Sequence, residues 1–228
     1  MIMGTTIKRY GIPKYWNVPK KANVFVVKPM PGPHAKDQCM PLQVLLRNVL
    51  RFTENAKESK KVLSAEKVMV DKKVRKNPKF PVGFMDVIEI PDARQYYRVM
   101  INKKGLYLHE IKETDADKKL CKITGKKSVK GGLTQINLHD GRNLLLKKDS
   151  YSVGDSLLIQ LPDQKVLKHF KFQKGEPATI ISGKNMGMTG KIHEILKRKN
   201  MLDKSTIMIK TDNREIETLL EYAMVGEA

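Results

Sequence analysis

The sequence predicts an α+β chain of several domains, and three observations predict it. Helical periodicity is confined to two short stretches, residues 42–50 and 57–63. From residue 94 onward, short apolar runs recur in pairs, each pair separated by turn-forming residues. Prolines and a shifting charge balance divide the 228 residues into four segments, 1–40, 41–93, 94–172 and 173–228.

Charge narrows the function. Lys and Arg number 44 against 24 Asp and Glu, a net charge of +20. A compact body with that excess repels itself and attracts phosphate backbones, with an anionic membrane surface or an acidic protein as lesser alternatives. The four segments carry +6, +4, +9 and +1, so the last is almost neutral. A hydrophobic content of 40% with 15 glycines is ordinary for a globular chain. Cys39 and Cys121 form no CxxC pair and no disulfide framework, which suits a reducing cytosol. No apolar run approaches the roughly 18 residues of a membrane span, and the start MIMGTTIKRYG lacks an apolar signal core.

The first segment reads as a basic extended arm. Pro13, Pro19, Pro29, Pro31, Pro33 and Pro41 exclude a long helix, and only Asn23 to Val27 suits a strand. Lys8, Arg9, Lys14, Lys20, Lys21 and Lys28 are interleaved with Tyr10, Tyr15 and Trp16. That pattern fits an arm that contacts phosphates and stacks on bases. The plainer alternative is that Tyr15 and Trp16 dock the arm on its own domain. His34 and Cys39 are too few to ligate a metal.

The second segment reads as two helices and a hairpin. Leu42, Leu45, Leu46, Val49 and Leu50 form an amphipathic stripe behind Pro41, with Arg47 and Arg51 on one face away from it. A second helix, Lys57 to Leu63, presents Lys57, Lys60 and Lys61 and buries Val62 and Leu63. In the hairpin that follows, Glu66 to Asp86, Val68, Val70 and Val74 are expected to face a core. Lys72, Lys73, Arg75, Lys76 and Lys79 crowd the turn, 5 cations in 8 residues with no acid among them. Concentrating like charge this way becomes favourable against a polyanion. A strand from Asp86 to Ile90 completes the unit.

The third segment reads as β-rich and barrel-like, from three hairpins. Their turns fall at Asn102–Gly105, at His139-Asp140-Gly141-Arg142 and at Pro162-Asp163. Between the first two, residues 120–132 read as a basic loop carrying Lys122, Lys126, Lys127 and Lys130, suited to phosphates. His139-Asp140 is expected to be a turn and not a metal dyad, because no second cluster of ligands accompanies it. The fourth segment places Gly183, Lys184, Asn185, Gly187, Gly190 and Lys191 in a tight loop between strands, where the glycines allow close approach to a ligand chain. A Walker loop needs a hydroxyl after the Lys and a helix, and Ile192 supplies neither. Tyr222, Met224 and Val225 are expected in the core. The carboxylate pairs Asp115 and Asp117, and Glu215 and Glu217, read as solvated, and no nucleophile–base context appears, so no enzyme, cofactor, metal or small-molecule substrate is expected.

These residues resemble a known family. Two short helices followed by VxVDxKVRxNPxFPVGxMDVI are similar to the alpha-L, or S-four-type, RNA-binding module. The wording matches small-subunit ribosomal proteins S-four of the archaeal and eukaryotic type. Pro13-Lys14-Tyr15-Trp16, Gly32-Pro33-His34 and Cys39-Met40-Pro41-Leu42 agree with it. The pattern GExxxIISGxxxGxxGKI from Gly175 resembles the KOW motif of an SH3-like barrel. The resemblance runs from about Gly11 to Val225. It implies a structural, non-enzymatic constituent of the small subunit that binds ribosomal RNA on the cytoplasmic ribosome, beside neighbouring ribosomal proteins. The compact length looks more archaeal than eukaryotic. Its alternatives are a non-ribosomal KOW-type transcription or RNA-chaperone factor and an RNA-modifying enzyme. For the enzyme, Gly141-Arg142 lacks the Asp that a pseudouridine synthase needs. One departure stands out. The family usually keeps Gly after the Asp of the hairpin turn, and here that position is Lys72. Either the turn is of another type, or Lys72 is strained and held by its contacts.

Overall fold

A computed structural model describes residues 6–147, 150–196, 198, 200, 203–211 and 214–226. The chain divides into two compact units, residues 1–100 with 104–119, and residues 101–103 with 120–228.

In the first unit, β1 (Thr6–Lys8) pairs antiparallel with β2 (Phe25–Val27). β3 (Cys39–Pro41) leads into a three-residue helix, α1 (Leu42–Val44), and then a π turn over Leu45–Val49. The helix α2 (Ala56–Ser64) follows. The two-residue strands β4 (Met69–Val70) and β5 (Lys73–Val74) make the hairpin. β6 (Pro81–Gly83) pairs with β3. β7 (Val87–Ile90), β8 (Gln95–Asn102) and β9 (Gly105–Glu110) complete a sheet ordered β5-β4-β7-β8-β9. The short helix α3 (Glu113–Ala116) ends the run. Every residue of β7 is buried, as a central strand covered on both faces requires.

The arm is docked rather than extended. Trp16 is buried, and its Nε1 donates to the Cys39 carbonyl at 2.8 Å. The Tyr15 hydroxyl accepts from the Cys39 amide at 3.0 Å. Leu106 N–H donates to the Tyr15 carbonyl at 2.9 Å. That approach requires glycine at 105, where φ is +128° and a Cβ would lie 2.0 Å from the Tyr15 oxygen. The plainer reading of Tyr15 and Trp16 therefore holds: an indole and a phenol that find carbonyl partners at home gain more by burial than by facing solvent.

Three further expectations change. Residues 42–50 were expected to be one regular helix, yet Leu50 N–H closes on Leu45 O at 3.0 Å, a five-residue step. Residues 41–46 are buried on all sides, so packing sets the backbone step, and an apolar stripe does not specify it. Val74 was expected in the core and is exposed, because pairing through a two-residue turn turns it outward opposite Met69. The hairpin of residues 95–110 was expected to open the third segment, but β8 pairs with β7 and so extends the first unit's sheet.

The second unit holds two five-stranded antiparallel sheets. The first comprises β10 (Lys118–Val129), β11 (Leu133–Leu138), β12 (Asn143–Leu146), β13 (Ser156–Gln160) and β14 (Val166–Phe170), in the order β12-β11-β10-β13-β14. Cys121, Ile123, Ile136, Leu138, Leu157 and Ile159 form its core. The stretch 120–132 is thus not a loop. β10 runs through it, because Leu120, Cys121 and Ile123 have an apolar face to cover, and only residues 130–132 make a turn. The second sheet comprises β15 (Pro177–Ile180), β16 (Thr189–Leu196), β17 (Thr206–Thr211), β18 (Arg214–Leu219) and β19 (Ala223–Val225), in the order β18-β17-β16-β15-β19. Met224 and Val225 are buried as expected, and Tyr222 is half-buried. Among the described residues, no helix is long and apolar enough to cross a membrane.

Candidate nucleic-acid interface

The outer basic face begins on α2. Glu58 fixes the helix start by accepting the Asn55 and Glu54 amides at 3.3 and 2.9 Å. Those bonds favour the ionised form and lower the Glu58 pKa. Ser59 and Leu63 face inward, which leaves Lys57, Lys60 and Lys61 exposed on the other side. Among the described residues no ion pair involves these three, nor Lys73, exposed on β5. Lys76 is exposed but pairs with Glu66 at 2.6 Å. Arg75 lies over the Phe80 ring at 4.3 Å.

The hairpin turn resolves the Lys72 alternative. Val70 faces Lys73 across a two-residue turn, and Asp71 and Lys72 have φ of 52° and 62°. Positive φ at both central residues is the I′ form, in which glycine is the easy choice at the second position. Lys72 adopts it and is held there. Its Nζ pairs with Glu89 at 3.1 Å and Asp117 at 2.7 Å. Burial works against the Lys72 charge, but hydrogen bonds to Asp117 and Glu89 outweigh it and raise its pKa. Burial likewise raises the Glu89 carboxyl, with Lys72 opposing the shift. Lys72 was expected to contact RNA; instead it neutralises an acid inside its own unit.

Directly beneath the turn lies a buried ionic cluster. The Lys119 Nζ donates to Asp71 Oδ2 at 2.7 Å and to Asp86 Oδ1 at 2.6 Å, and Lys119 is wholly buried. His34 Nε2 lies 3.0 Å from both Asp86 oxygens. The remaining acceptor capacity is used by backbone. Gly83 N–H donates to Asp86 Oδ2 at 2.9 Å, and Val87 N–H to Asp71 Oδ1 at 3.0 Å. Burial alone would raise the Asp86 pKa, but His34 and Lys119 outweigh it and hold it well below the usual carboxylate range. The cluster ties the arm (His34), the turn (Asp71), the residue that leads into β7 (Asp86) and the first residues of β10 (Lys119) into one unit.

The other cations expected at the interface separate by burial. Lys8, Lys14, Lys21, Lys127 and Lys130 are exposed, and Lys20, Lys79 and Lys126 half-buried. Arg9 corrects the expectation: it is buried, its Nε donating to the Pro19 carbonyl at 2.5 Å, because it braces the arm. Lys126 donates to the Tyr151 carbonyl. Lys122, read as part of a basic loop, is buried and donates to the Leu220, Glu221 and Ala223 carbonyls at 3.2, 2.8 and 2.6 Å. Burial pushes its pKa down to about 8. Arg47 is half-buried in the π turn, with Nε 3.4 Å from Asn48 Oδ1. Arg51 lies past the turn at φ 57° and exposed, so the two arginines do not share a helix face.

The glycine loop spans Gly183 to Lys191, with Lys184 and Lys191 exposed and Asn185 half-buried. Gly183 and Gly187 have φ of 91° and 80°. Gly190 does not: a Cβ there would lie 2.6 Å from the Lys210 carbonyl of β17. Its smallness serves the chain's own neighbouring strand, not a ligand. Among the described residues one group of metal-ligating atoms assembles, Cys121, His139 and Asp140, within 4.8 Å of one another. Asp140 there accepts the Arg142 amide at 3.2 Å and pairs with Arg142 Nε at 3.3 Å, and His139 Nδ1 accepts the Lys122 amide at 3.2 Å. Those bonds are the anchoring of a turn.

A helix bearing unpaired lysines, a tight I′ hairpin and a sheet behind it define an S4-domain protein, and a family model for the S4 domain matches residues 40–88. A model for the RS4NT domain matches residues 6–37, and one for ribosomal family S4e matches residues 93–166. Small ribosomal subunit protein eS4 of Methanocaldococcus jannaschii is 40% identical over 228 residues, 96% of this chain and 92% of the relative. The Methanosphaera stadtmanae protein of that name is 42% identical over 220 residues, 96% of this chain and 90% of the relative. The crystal structure of 30S ribosomal protein S4e from Thermoplasma acidophilum superposes with a TM-score of 0.72 at 30% identity, covering 83% of this chain and 95% of that one. The chain belongs to ribosomal family S4e, of the archaeal and eukaryotic type, and is a ribosomal protein rather than an enzyme.

Residue reasoning missed the buried cluster and the partners of Lys72. One signal was legible. Glu89 sits in the apolar run DVIEI, and an acid in a fully buried strand calls for a cation nearby.

Proposed function

We propose that the chain is a constituent of the small ribosomal subunit that binds ribosomal RNA and supports subunit assembly and translation. The observation that carries this reading is the set of exposed lysines without acidic partners, Lys57, Lys60, Lys61 and Lys73, on consecutive elements of the S4 domain. Unpaired, solvated cations lose little on meeting phosphates and release counterions when they do, so such a face holds a folded RNA by its backbone and shape. Lys8, Lys14, Lys20, Lys21, Arg47, Arg51, Arg75, Lys76, Lys79, Lys127 and Lys130 extend the interface. The chain divides in function into an arm (1–40), the RNA-binding module (41–93), a central β-rich part (94–172), whose first hairpin joins the module's sheet, and an SH3-like KOW barrel (173–228). The last is nearly neutral and antiparallel, which suits contact with a neighbouring ribosomal protein or the RNA periphery.

The test is sedimentation. Tagged protein in a low-salt gradient of cell extract is expected to run with small subunits and to leave them as salt rises. Protein found only at the top of that gradient would contradict the reading.

A further inference from the structure

The first unit contains a cavity that shares only Lys79 with the cations of that interface. It is lined by the arm segment 28–36 together with Lys79 and has a volume of about 540 Å³. Clefts of roughly 300–1,000 Å³ hold small ligands. Its walls are apolar, with Met30 and Pro31 exposed at the mouth and Pro33 half-buried. Lys28, Lys36 and Lys79 supply the charge, and among the described residues no carboxylate lines it.

The cavity is built rather than incidental. Met30 N–H donates to the Lys79 carbonyl at 2.9 Å, which closes the arm segment over the loop between β5 and β6. Gly32 is required for that closure, since a Cβ there would lie 2.6 Å from the Pro81 ring. Gly83 is required too, since a Cβ there would lie 2.4 Å from the His34 ring. His34 is fixed in turn by Asp86 at 3.0 Å. Its ring nitrogen Nε2 is committed to that carboxylate, so the polar selectivity of the cavity rests with the lysines.

The geometry points to a nucleotide pocket: a single base of the bound RNA, turned out of its stack, lies against Met30 and the proline rings while Lys36 and Lys79 contact the flanking phosphates. An apolar slot with cations at its rim and no acid matches a flat ring joined to anions. It disfavours an acid-free apolar peptide, which would leave Lys36 and Lys79 uncompensated. Recognition of unstacked bases is the common way in which proteins read single-stranded RNA, and every base has a face that such walls accept. This assignment rests on the RNA-binding reading above and adds a place where one nucleotide is held individually.

Short-wave ultraviolet crosslinking of the full chain to small-subunit ribosomal RNA, followed by mass spectrometry of the tryptic peptides, tests it. The expected result is a nucleotide adduct on the peptide spanning residues 22–36, centred on Met30. Met30→Glu places a carboxylate at the exposed mouth without touching the core. It should abolish that adduct and leave adducts elsewhere on the protein. Lys36→Gln with Lys79→Gln should make the log–log salt dependence of binding shallower by roughly 1.5. Protein that binds the RNA with no adduct on residues 22–36 overturns the pocket and leaves the wider reading standing. An adduct of that peptide to a neighbouring protein in intact subunits, in place of RNA, also overturns it. Failure to bind the RNA at all overturns both.

Discussion

Two groups of lysines in the first unit behave in opposite ways. Lys119 is wholly buried between Asp71 and Asp86, and Lys72 is committed to Glu89 and Asp117. Lys57, Lys60 and Lys61 stand in water on α2, and among the described residues none of them forms an ion pair. The first group was desolvated during folding, and that cost is offset only by its carboxylates. The second group keeps its hydration and its charge for a partner. A count of cations therefore does not locate an interface; burial and pairing do.

The comparison breaks most visibly at Lys119. Lys119→Met removes one cation and leaves Asp71 and Asp86 facing each other in the interior. Losing one side of a buried pair costs about 3–5 kcal/mol, so denaturant unfolding should show a large loss in the first unit. A loss under about 1 kcal/mol would show that the cluster is not what ties arm to sheet.

Acid attacks the same cluster. The folded-state pKa of Asp86 is depressed, so its contribution is fully present above the ordinary carboxylate range. It is lost as pH falls below about 4. Stability measured against pH should fall there in the wild type, and the fall should be shallower in Asp86→Asn, which has already lost that contribution.

Lys72 sharpens the comparison because it sits on the border between the groups. Lys72→Gly relieves a left-handed lysine, a gain of about 1–2 kcal/mol, but strips Glu89 of its cation. The single variant should be less stable than the wild type. In a Glu89→Leu background, where no acid needs a partner, the same change should raise stability by about 1 kcal/mol relative to Glu89→Leu alone. If Lys72→Gly destabilises equally in both backgrounds, the ion pair is not what holds the turn.

Much of this was legible in the residues. The arm's lack of helix follows from its six prolines, and α2 and the hairpins follow from periodicity and turn residues. Burial of the wrong cations was not. Arg9, Lys119 and Lys122 look like their exposed neighbours in sequence, because their partners are distant along the chain: Pro19, Asp71 and Leu220. Local pattern carries no information about a carboxylate 48 residues away. Residues 120–132 misled for a related reason. Their lysines suggested a loop, while β10 needs only Leu120, Cys121 and Ile123 to face a core. The identity of the turn was legible as a departure at Lys72, and its resolution required Glu89 and Asp117 in space.

The most direct test of the central claim is the salt dependence of binding to small-subunit ribosomal RNA for Lys57→Gln/Lys60→Gln/Lys61→Gln beside the wild type. The account predicts an unchanged Tm, because among the described residues these exposed side chains form no ion pair. It also predicts a log–log slope shallower by roughly two, the loss of three phosphate contacts. An unchanged slope, with the protein folded and still bound, would mean that the exposed face of α2 is solvated surface and that the RNA is held elsewhere.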